Sequence, residues 1–245
     1  MQNMLNTLKK GVKGLIYLLS HPKQVKWIIV REFRYGKRKQ SKRGWVEWQK
    51  YDAQVHISMM QENTATLSSS VLNSERIQIF SSMVSSLGNG LDVLDVGCGD
   101  GVISEPIEKM GNNVTSIELP GIANLARRCG VSSVVTGDAE LLAFASDSFD
   151  VVLASEVVEH MWNPKDFLDE AHRVLKCEGY LIVETPEGEE GLNYDSHKHF
   201  FTVESLKQML GEKFAVYEIK RLEATGRAQT PTIILLLRKS VSAKN

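Results

Sequence analysis

The chain has 245 residues, of which 42% are hydrophobic and 24% are charged. This balance argues against an intrinsically disordered protein and predicts one globular domain with a full core and an extension. The three cysteines, Cys98, Cys129 and Cys177, show no CxxC spacing. Their pattern argues against a disulfide framework or a cysteine-rich zinc site and favours a reducing, cytoplasmic compartment.

Charge is unevenly distributed along the chain. Residues 1–43 carry twelve Lys or Arg and one acid, whereas the rest carries seventeen basic and twenty-nine acidic residues. The apolar run at 15–19 is too short to span a bilayer, and we expect neither a signal peptide nor a transmembrane helix. Residues 13–43 predict a basic amphipathic helix that either contacts an anionic membrane surface peripherally or packs on the body as a lid. Contact of residues 31–43 with RNA phosphates is the less favoured alternative.

Residues 44–88 predict mostly helical and polar structure, and the pattern changes at Leu91. From there, short apolar runs typical of strands alternate with helical stretches, which predicts right-handed crossovers and a parallel sheet with helices on both faces. The last two strands follow each other without a helix, and we expect them to pair as an antiparallel edge. We place the boundary between a basic N-terminal helical extension or lid (1–85) and an α/β domain (86–245). The predicted strands are 93–96, 114–117, 133–135, 151–154, 180–183, 215–220 and 232–237, and the predicted helices are 102–110, 122–128, 164–175 and 203–210.

A glycine-rich turn follows the first predicted strand, in the sequence LDVLDVGCGDG. Such a turn lies at the carboxyl edge of a parallel sheet, where Gly97 and Gly99 allow the backbone to approach a ligand closely. The dinucleotide fingerprint GxGxxG needs a third glycine where this chain has Val102. Asp95 and Asp100 flank the turn, and two carboxylates there would repel a pyrophosphate and attract a cation. The sequence therefore predicts a nucleotide-like ligand whose end near this turn is positively charged.

Two further acidic residues follow the next strands at spacings that suit such a ligand. Glu118 ends the second strand and can accept hydrogen bonds from both hydroxyls of a ribose. Asp138, in the sequence TGDAE after the third strand, can accept a hydrogen bond from the exocyclic amine of a base. Taken alone, each acid would be ascribed to a solvated strand end or a turn. A cationic end, a ribose and an amine-bearing base together describe S-adenosylmethionine (SAM), which has no phosphate.

The order and spacing of these segments resemble the class I SAM-dependent methyltransferases of small molecules. LDVLDVGCGDG resembles their first motif, VTSIEL their second, GDAE their adenine-contacting turn, and the stretch from FDVVLAS to LIVETP their fourth and fifth strands with the helix between. The resemblance runs from about Leu91 to Leu237 and implies a Rossmann-like, mostly parallel seven-stranded sheet of order 3-2-1-4-5-7-6 with strand 7 antiparallel. It also implies that the first motif holds the methionine end, the acid of the second motif the ribose, and the turn the adenine. The predicted cofactor-binding residues are Asp95, Gly97, Gly99, Asp100, Glu118, Asp138, Ala139 and Ser155.

Candidate catalytic side chains follow the fourth and fifth strands. SEVVEHM contains an E-x-x-E-H run, and SHKHFF contributes two later histidines. The run resembles the magnesium-binding cluster of small-RNA 2′-O-methyltransferases and a run in quinone O-methyltransferases, and it also occurs in family members that need no metal. Because imidazole is an unusual magnesium ligand, we favour the metal-free interpretation, with Mg2+ as the alternative. The predicted catalytic residues are Glu156, His160 and His199, and the alternative metal ligands are Glu156, Glu159, His160 and His197.

The sequence therefore predicts a cytoplasmic SAM-dependent methyltransferase, peripheral at the inner membrane face if residues 13–43 bind lipid. We expect O-methylation of a small-molecule or lipid-linked acceptor, such as a glycan or a quinone precursor. Methyl transfer needs in-line positioning of the acceptor, and it needs a base only where the nucleophile must lose a proton. Two alternatives stay open: a metal-dependent RNA 2′-O-methyltransferase, and a SAM-binding regulatory subunit without catalytic activity. No motif of the chain identifies the acceptor.

Overall fold

The chain divides into two units, at Val55/His56. Within the first unit, helix α1 spans residues 42–51, and its Trp45 and Trp48 rings are buried and stacked with centroids 5.1 Å apart. The basic segment predicted to contact a membrane lies outside the described residues except for its last three. In the parts of the chain that are described, no helix has the length and apolar character needed to cross a bilayer. The computed structural model describes residues 41–51, 71–188, 197–223 and 231–240.

The second unit is built around a seven-stranded sheet. Its helices and strands mostly alternate, and every strand and helix predicted after Leu91 is present. In chain order the elements are α2 (Val71–Leu87), β1 (Asp92–Val96), α3 (Ser104–Lys109), β2 (Asn113–Glu118), α4 (Ala123–Arg128), β3 (Val134–Thr136), β4 (Phe149–Ser155), a 3-10 turn (Val158–His160), α5 (Pro164–Val174), β5 (Leu175–Pro186), α6 (Val203–Leu210), β6 (Phe214–Leu222) and β7 (Thr232–Lys239).

The strand order is β3-β2-β1-β4-β5-β7-β6, as the resemblance implied. Strands β1 to β5 are parallel, and β1 lies between β2 and β4. β7 lies between β5 and β6 and is antiparallel to both, with Glu184 opposite Ile234 and Ile219 opposite Leu235. The predicted antiparallel pairing of the last two strands is therefore confirmed, because a connection of fewer than a dozen residues is too short for a crossover and returns the chain along the sheet as a neighbour. The carboxyl ends of β1, β2, β4 and β5 meet at one edge, where open α/β folds bind ligands.

Both faces of the sheet are covered, and the apolar run of β7 reflects this. Ile233, Leu235 and Leu237 pack in the core on the side of α5 and α6, whereas Ile234 and Leu236 pack on the side of α2 and α3. All five side chains are fully buried. A continuous apolar run in a strand is expected where both faces of the sheet are covered.

Helix α5 illustrates how local sequence fixes an element. The side chain of Asn163 caps its first turn by accepting a hydrogen bond from the Lys165 backbone N–H (3.3 Å). Phe167, Ala171 and Val174 follow at helical spacing and are fully buried against the sheet. The chain then passes directly into β5, whose first residue, Leu175, lies opposite Phe149 at the start of β4.

Helix α2 belongs to the same unit as the sheet, although the sequence analysis placed its residues within the extension 1–85. Phe80, Met83 and Val84 recur at helical spacing and are buried in the core with residues of β1 and α3. This packing brings one end of α2 to the carboxyl edge of the sheet, where it contributes a charged side chain to the site described below.

Candidate active site

Packing leaves no room for side chains at two positions of the glycine turn after β1. Gly97 has φ 70° and donates its backbone N–H to Ile117 O (2.9 Å), and a Cβ there would lie 2.5 Å from Val157 Cγ2. Gly101 has φ 86°, and a Cβ there would overlap Val131. Left-handed backbone also costs residues with a side chain about 1–2 kcal/mol. Packing therefore requires glycine at both positions.

Glu118, the predicted ribose acceptor, is buried at the end of β2 and bound to backbone amides. Its Oε2 accepts a hydrogen bond from the Gly99 N–H (3.0 Å), and its Oε1 accepts one from the Leu119 N–H (2.6 Å). Burial raises the pKa of Glu118, while the two amides and the charge of nearby His160 lower it. A Cβ on Gly99 would contact no other residue. The carboxylate is therefore bound by the amide of a residue that has open space beside it.

Asp95, two residues before the turn, is only 2% exposed. Ser104 Oγ donates a short hydrogen bond to Asp95 Oδ2 and lies 2.9 Å from the hydroxyl of a second buried serine. Burial raises the pKa of Asp95 to about 7, the hydrogen bond from Ser104 opposes this shift, and the charge of Glu118 adds to it. Two neighbouring buried carboxyls make this end of the site negative when both are ionised. Asp100 accepts a hydrogen bond from the Val102 N–H (3.3 Å) within the turn itself.

The turn after β3 is closed by the acid predicted to bind adenine. Asp138 Oδ1 accepts a hydrogen bond from the Glu140 N–H (2.9 Å), in the manner of an Asx turn. Ala139 is half-buried and packs against the core on the α5 side of the sheet. Glu140 is buried, and its Oε1 accepts a hydrogen bond from the Trp162 backbone N–H (2.6 Å). The turn that was predicted to contact adenine is thereby joined to the segment that follows β4.

A buried ion-pair cluster at the ends of β4 and β5 includes two residues that the sequence analysis missed, Arg76 of α2 and Glu184 of β5. Arg76 Nε donates to Glu184 Oε1 (2.6 Å), and Arg76 Nη2 donates to Glu156 Oε1 (3.2 Å). Ser155 Oγ donates a short hydrogen bond to the second oxygen of Glu184. Glu184 is fully buried; burial raises its pKa, and the charge of Arg76 lowers it. One guanidinium therefore connects α2 to both strands at the carboxyl edge.

Three of the four alternative metal ligands come together, and the fourth is directed elsewhere. One ligand atom from each of Glu159, His160 and His197 lies within 4.8 Å of the others. Glu156 is instead paired with Arg76. It also has φ 56°, a left-handed conformation that is uncommon for a residue with a side chain and that clusters at functional sites.

Glu159 is the buried member of this trio. Thr185 Oγ1 donates to Glu159 Oε2 (3.1 Å), whereas Oε1 has no hydrogen-bond partner among the described residues and lies 3.7 Å from His160 Nε2. Burial raises the pKa of Glu159 to about 8, against hydrogen bonds from its own backbone N–H and from Thr185. The rings of His160 and His197 meet edge to face with centroids 4.7 Å apart. A buried carboxylate oxygen without a donor, beside two imidazoles, fits a bound cation or a shared proton.

His199, a predicted catalytic residue, is tied to the backbone. Its ring Nε2 lies 3.1 Å from the backbone oxygen of Met161, so this nitrogen carries a proton and donates it. The backbone N–H of His199 donates to the backbone oxygen of Glu159 (3.1 Å). Burial lowers the pKa of His199 and favours the neutral ring. Next to it, Lys198 Nζ lies 4.0 Å from the centre of the Trp162 ring. These contacts give His199 a role in holding the loop after β5 against the segment after β4.

Comparison with known proteins identifies a segment that contains part of this site, from the glycine turn to the trio's Glu159 and His160. Residues 94–183 match the family described as a methyltransferase domain. The ubiquinone biosynthesis O-methyltransferase of Azorhizobium caulinodans is 40% identical over 102 residues, which cover 39% of this chain and 40% of that protein. The protein of the same name from Xylella fastidiosa is 36% identical over 121 residues, covering 46% of this chain and 48% of that protein. The chain therefore spans less than half the length of these relatives.

A solved structure with the same fold carries a cofactor product. The 1,6-didemethyltoxoflavin-N1-methyltransferase of Burkholderia thailandensis, with 1,6-didemethyltoxoflavin and S-adenosylhomocysteine bound, superposes with a TM-score of 0.62 at 19% identity. The superposition covers 77% of this chain and 87% of that chain, and at this identity it establishes the fold alone. The family match, the strand order and the glycine turn agree with one another. Over residues 94–183 the chain therefore matches a methyltransferase domain in sequence, and its sheet has the strand order expected of the class I SAM-dependent methyltransferases.

Proposed function

We propose that this protein transfers the methyl group of SAM to a hydroxyl oxygen of a small or lipid-linked acceptor of the quinone-precursor type. The observation that carries the proposal is the adjacency of two groups of residues at one edge of the sheet. Glu118 accepts a hydrogen bond from Gly99, which has open space beside it, and the charge of His160, of the trio with Glu159 and His197, lowers the pKa of Glu118. The names of the relatives favour oxygen as the methyl acceptor.

The reaction asks for an acceptor oxygen in line with the departing sulfur and, for a phenol, for removal of a proton. His160 is the side chain best situated to accept that proton, because it is 28% exposed and lies beside the cofactor edge. The imidazolium that forms is stabilised by Glu159, 3.7 Å away, because a nearby positive charge favours ionisation of a carboxyl whose pKa burial raises to about 8. His199, bound to a backbone carbonyl, instead holds the loop.

A divalent cation is the alternative occupant of the same trio. Glu159 Oε1 and one nitrogen from each of His160 and His197 would hold it, and the buried oxygen of Glu159 without a hydrogen-bond donor supports this assignment. Two imidazoles and one carboxylate suit Zn2+, Mn2+ or Fe2+ better than Mg2+. Such an ion, when bound, supplies positive charge that lowers the pKa of a coordinated hydroxyl. In that arrangement His160 is a ligand and not the base.

Calorimetric titration with S-adenosylhomocysteine tests the cofactor site. We expect affinity of about micromolar order, weakened at least about tenfold by Glu118→Gln, because a hydrogen bond to a charged acceptor contributes about 1.5–3 kcal/mol. Glu178→Gln is the matched control, since Glu178 lies near the start of β5 and pairs with Arg238. Equal affinities for the two variants would mean that Glu118 does not contribute to cofactor binding. No binding by the wild type would mean that the protein does not bind this cofactor.

Transfer from methyl-labelled SAM tests the acceptor and the base. A polyprenylated catechol in detergent should become labelled on oxygen, and His160→Ala should lose this rate while keeping affinity for S-adenosylhomocysteine. Chelation followed by addition of Mg2+, Mn2+ or Zn2+ distinguishes His160 as a base from His160 as a metal ligand. A rate of methyl transfer that survives chelation excludes a requirement for a metal ion. Labelling of oligoribonucleotides with a steep salt dependence would favour RNA 2′-O-methylation. Binding without transfer to any acceptor would favour a regulatory subunit.

Peripheral contact with the inner face of a cytoplasmic membrane, through residues 13–43, is the remaining part of the proposal. Twelve basic residues against one acid in residues 1–43 support attraction to anionic lipid. The protein should co-sediment with phosphatidylglycerol vesicles and release at raised salt, and it should not bind phosphatidylcholine vesicles. Failure to bind the anionic vesicles would remove this contact without affecting the cofactor site.

A further inference from the structure

The outer edge of the sheet presents a surface that the cofactor site does not use. β6 is the last strand in the sheet order, and along the portions of chain described here no strand pairs with its outer side. Seven of its nine residues are exposed or half-exposed. They include Val216, Tyr217 and Ile219, which are among the large apolar side chains that this protein leaves in solvent. Edge strands usually avoid exposed apolar side chains, because unpaired backbone groups beside them favour association.

We propose that β6 is a dimerisation edge, which pairs antiparallel with β6 of a second copy of this chain about a two-fold axis at Ile219. A two-fold interface uses the same patch on both copies, so each contact occurs twice. With the axis at Ile219, Glu218 lies opposite Lys220 of the partner subunit, and Lys220 lies opposite Glu218 of the partner subunit. Opposite charges in directly facing positions stabilise an antiparallel pair, and like charges destabilise it.

Charge complementarity selects this register over its neighbours. Glu218 and Lys220 already form an ion pair along the strand (2.7 Å), with side chains 38% and 49% exposed. Moving the axis to Lys220 would place two ammonium groups opposite each other, and moving it to Glu218 would place two carboxylates opposite each other. Of these three registers, only the axis at Ile219 creates two opposite-charge pairs, and it also brings the two Ile219 side chains into contact.

The geometry of β6 sets the strength of the proposed contact. A bulge between Val216 and Glu218 bends the strand and confines regular pairing chiefly to its second half. That half is anchored by Arg221, which donates from Nε and Nη2 to the two oxygens of Glu187 (2.8 Å each). A strand of this length spans at most about 30 Å. Pairing along one strand buries less than about 1,200 Å2, which is typical of weak association, so we expect a reversible, concentration-dependent dimer.

Sedimentation velocity on the full chain tests the proposal, over about 5 to 500 μM, where interfaces of this size dissociate. The wild type should shift from monomer to dimer across this range, and less so at high salt. E218K and K220E should each stay monomeric at the top concentration, because each places like charges opposite each other. An equimolar mixture of the two should dimerise, as should the double variant E218K/K220E, because every charge then faces its opposite.

The controls separate this register from general effects of charge. Glu212→Lys makes the same change of charge at an exposed position just before β6 and should leave dimerisation intact. Thermal unfolding of each single variant should match that of the wild type, since both sites are at the surface. A wild type that stays monomeric at the highest concentration would overturn the proposal. So would single variants that dimerise as strongly as the wild type, or a mixture that does not dimerise.

Discussion

The burial of Asp95 predicts a pH-dependent stability that one isosteric substitution should remove. Folding raises the pKa of this carboxyl from its ordinary value of 3.8 to about 7, chiefly because the group is buried. Between these values the folded protein binds more protons at Asp95 than the unfolded chain does, so the free energy of unfolding falls as the pH rises. This loss of stability is absent at pH values where the carboxyl is neutral in both the folded and the unfolded state. It is complete at pH values above the pKa of the folded state.

The size of the effect follows from the shift. At about 1.36 kcal/mol per pKa unit, and relative to low pH, this shift lowers the free energy of unfolding by about 4 kcal/mol at pH 8, where Asp95 is ionised in both states, and by about 2 kcal/mol at pH 5, where it is ionised only in the unfolded chain. Asp95→Asn keeps the shape of the side chain and an oxygen that can accept from Ser104, but it cannot ionise. We expect the substitution to raise the free energy of unfolding by about 2–3 kcal/mol more at pH 8 than at pH 5.

Urea unfolding followed by circular dichroism at the two pH values measures this difference. Asp92→Asn is the matched control on the same strand, because a hydrogen bond from Lys176 (2.8 Å) lowers the pKa of Asp92 and keeps it ionised at both values. Its effect should not depend on pH. The same change in stability at pH 5 and pH 8 for Asp95→Asn would refute the reasoning. The stabilised variant should also bind S-adenosylhomocysteine more weakly, because the ligand's ammonium group loses a counter-charge.

Two further predictions concern packing and charge around the site. Gly97→Ala should lower the free energy of unfolding by at least about 2 kcal/mol, because its methyl group meets Val157 in a left-handed backbone conformation. Gly99→Ala, whose methyl enters open space, should cost only about 1 kcal/mol in the same urea assay, and equal losses at the two glycines would contradict the assigned clash. Arg76→Met should cost about 3–5 kcal/mol, because it leaves Glu184 buried without its cation. Glu184→Gln in that background should recover much of the loss, and strictly additive effects in this double-mutant cycle would mean that the two groups do not interact.

Much of the fold could be predicted because most elements have local causes. The apolar runs of the strands, the glycine turn and the short connection between β6 and β7 each specify a neighbour or a connection within a short stretch of chain. The order of the strands came instead from the resemblance, because no local pattern states which parallel strands lie side by side. The assignment of α2 depended on long-range packing as well, since Phe80 is buried only once the sheet is present.

The site could be predicted in its residue types but not in its internal contacts. Glu118 was expected to face a ligand, yet its two oxygens already accept hydrogen bonds from the backbone of the turn. Glu156 turns toward α2 because of a left-handed backbone at the strand end, which no sequence motif encodes. Arg76 was missed because it lies 108 residues from Glu184 along the chain. The available signal was Glu184 itself, since an acid within the apolar run YLIVETP needs a buried partner.

The inner position of β7 has a consequence for how the protein is made. β7 is the last of the seven strands to leave the ribosome, yet it fills the gap between two strands synthesised before it. Until Thr232 and the residues after it emerge, β5 lacks a neighbour on one side and β6 has no strand to pair with. Translation therefore produces an intermediate with open, apolar strand edges, which are templates for aggregation. A nascent chain stalled before β7 would be a substrate for chaperones, and the delay between the emergence of β6 and that of β7 sets how long that exposure lasts.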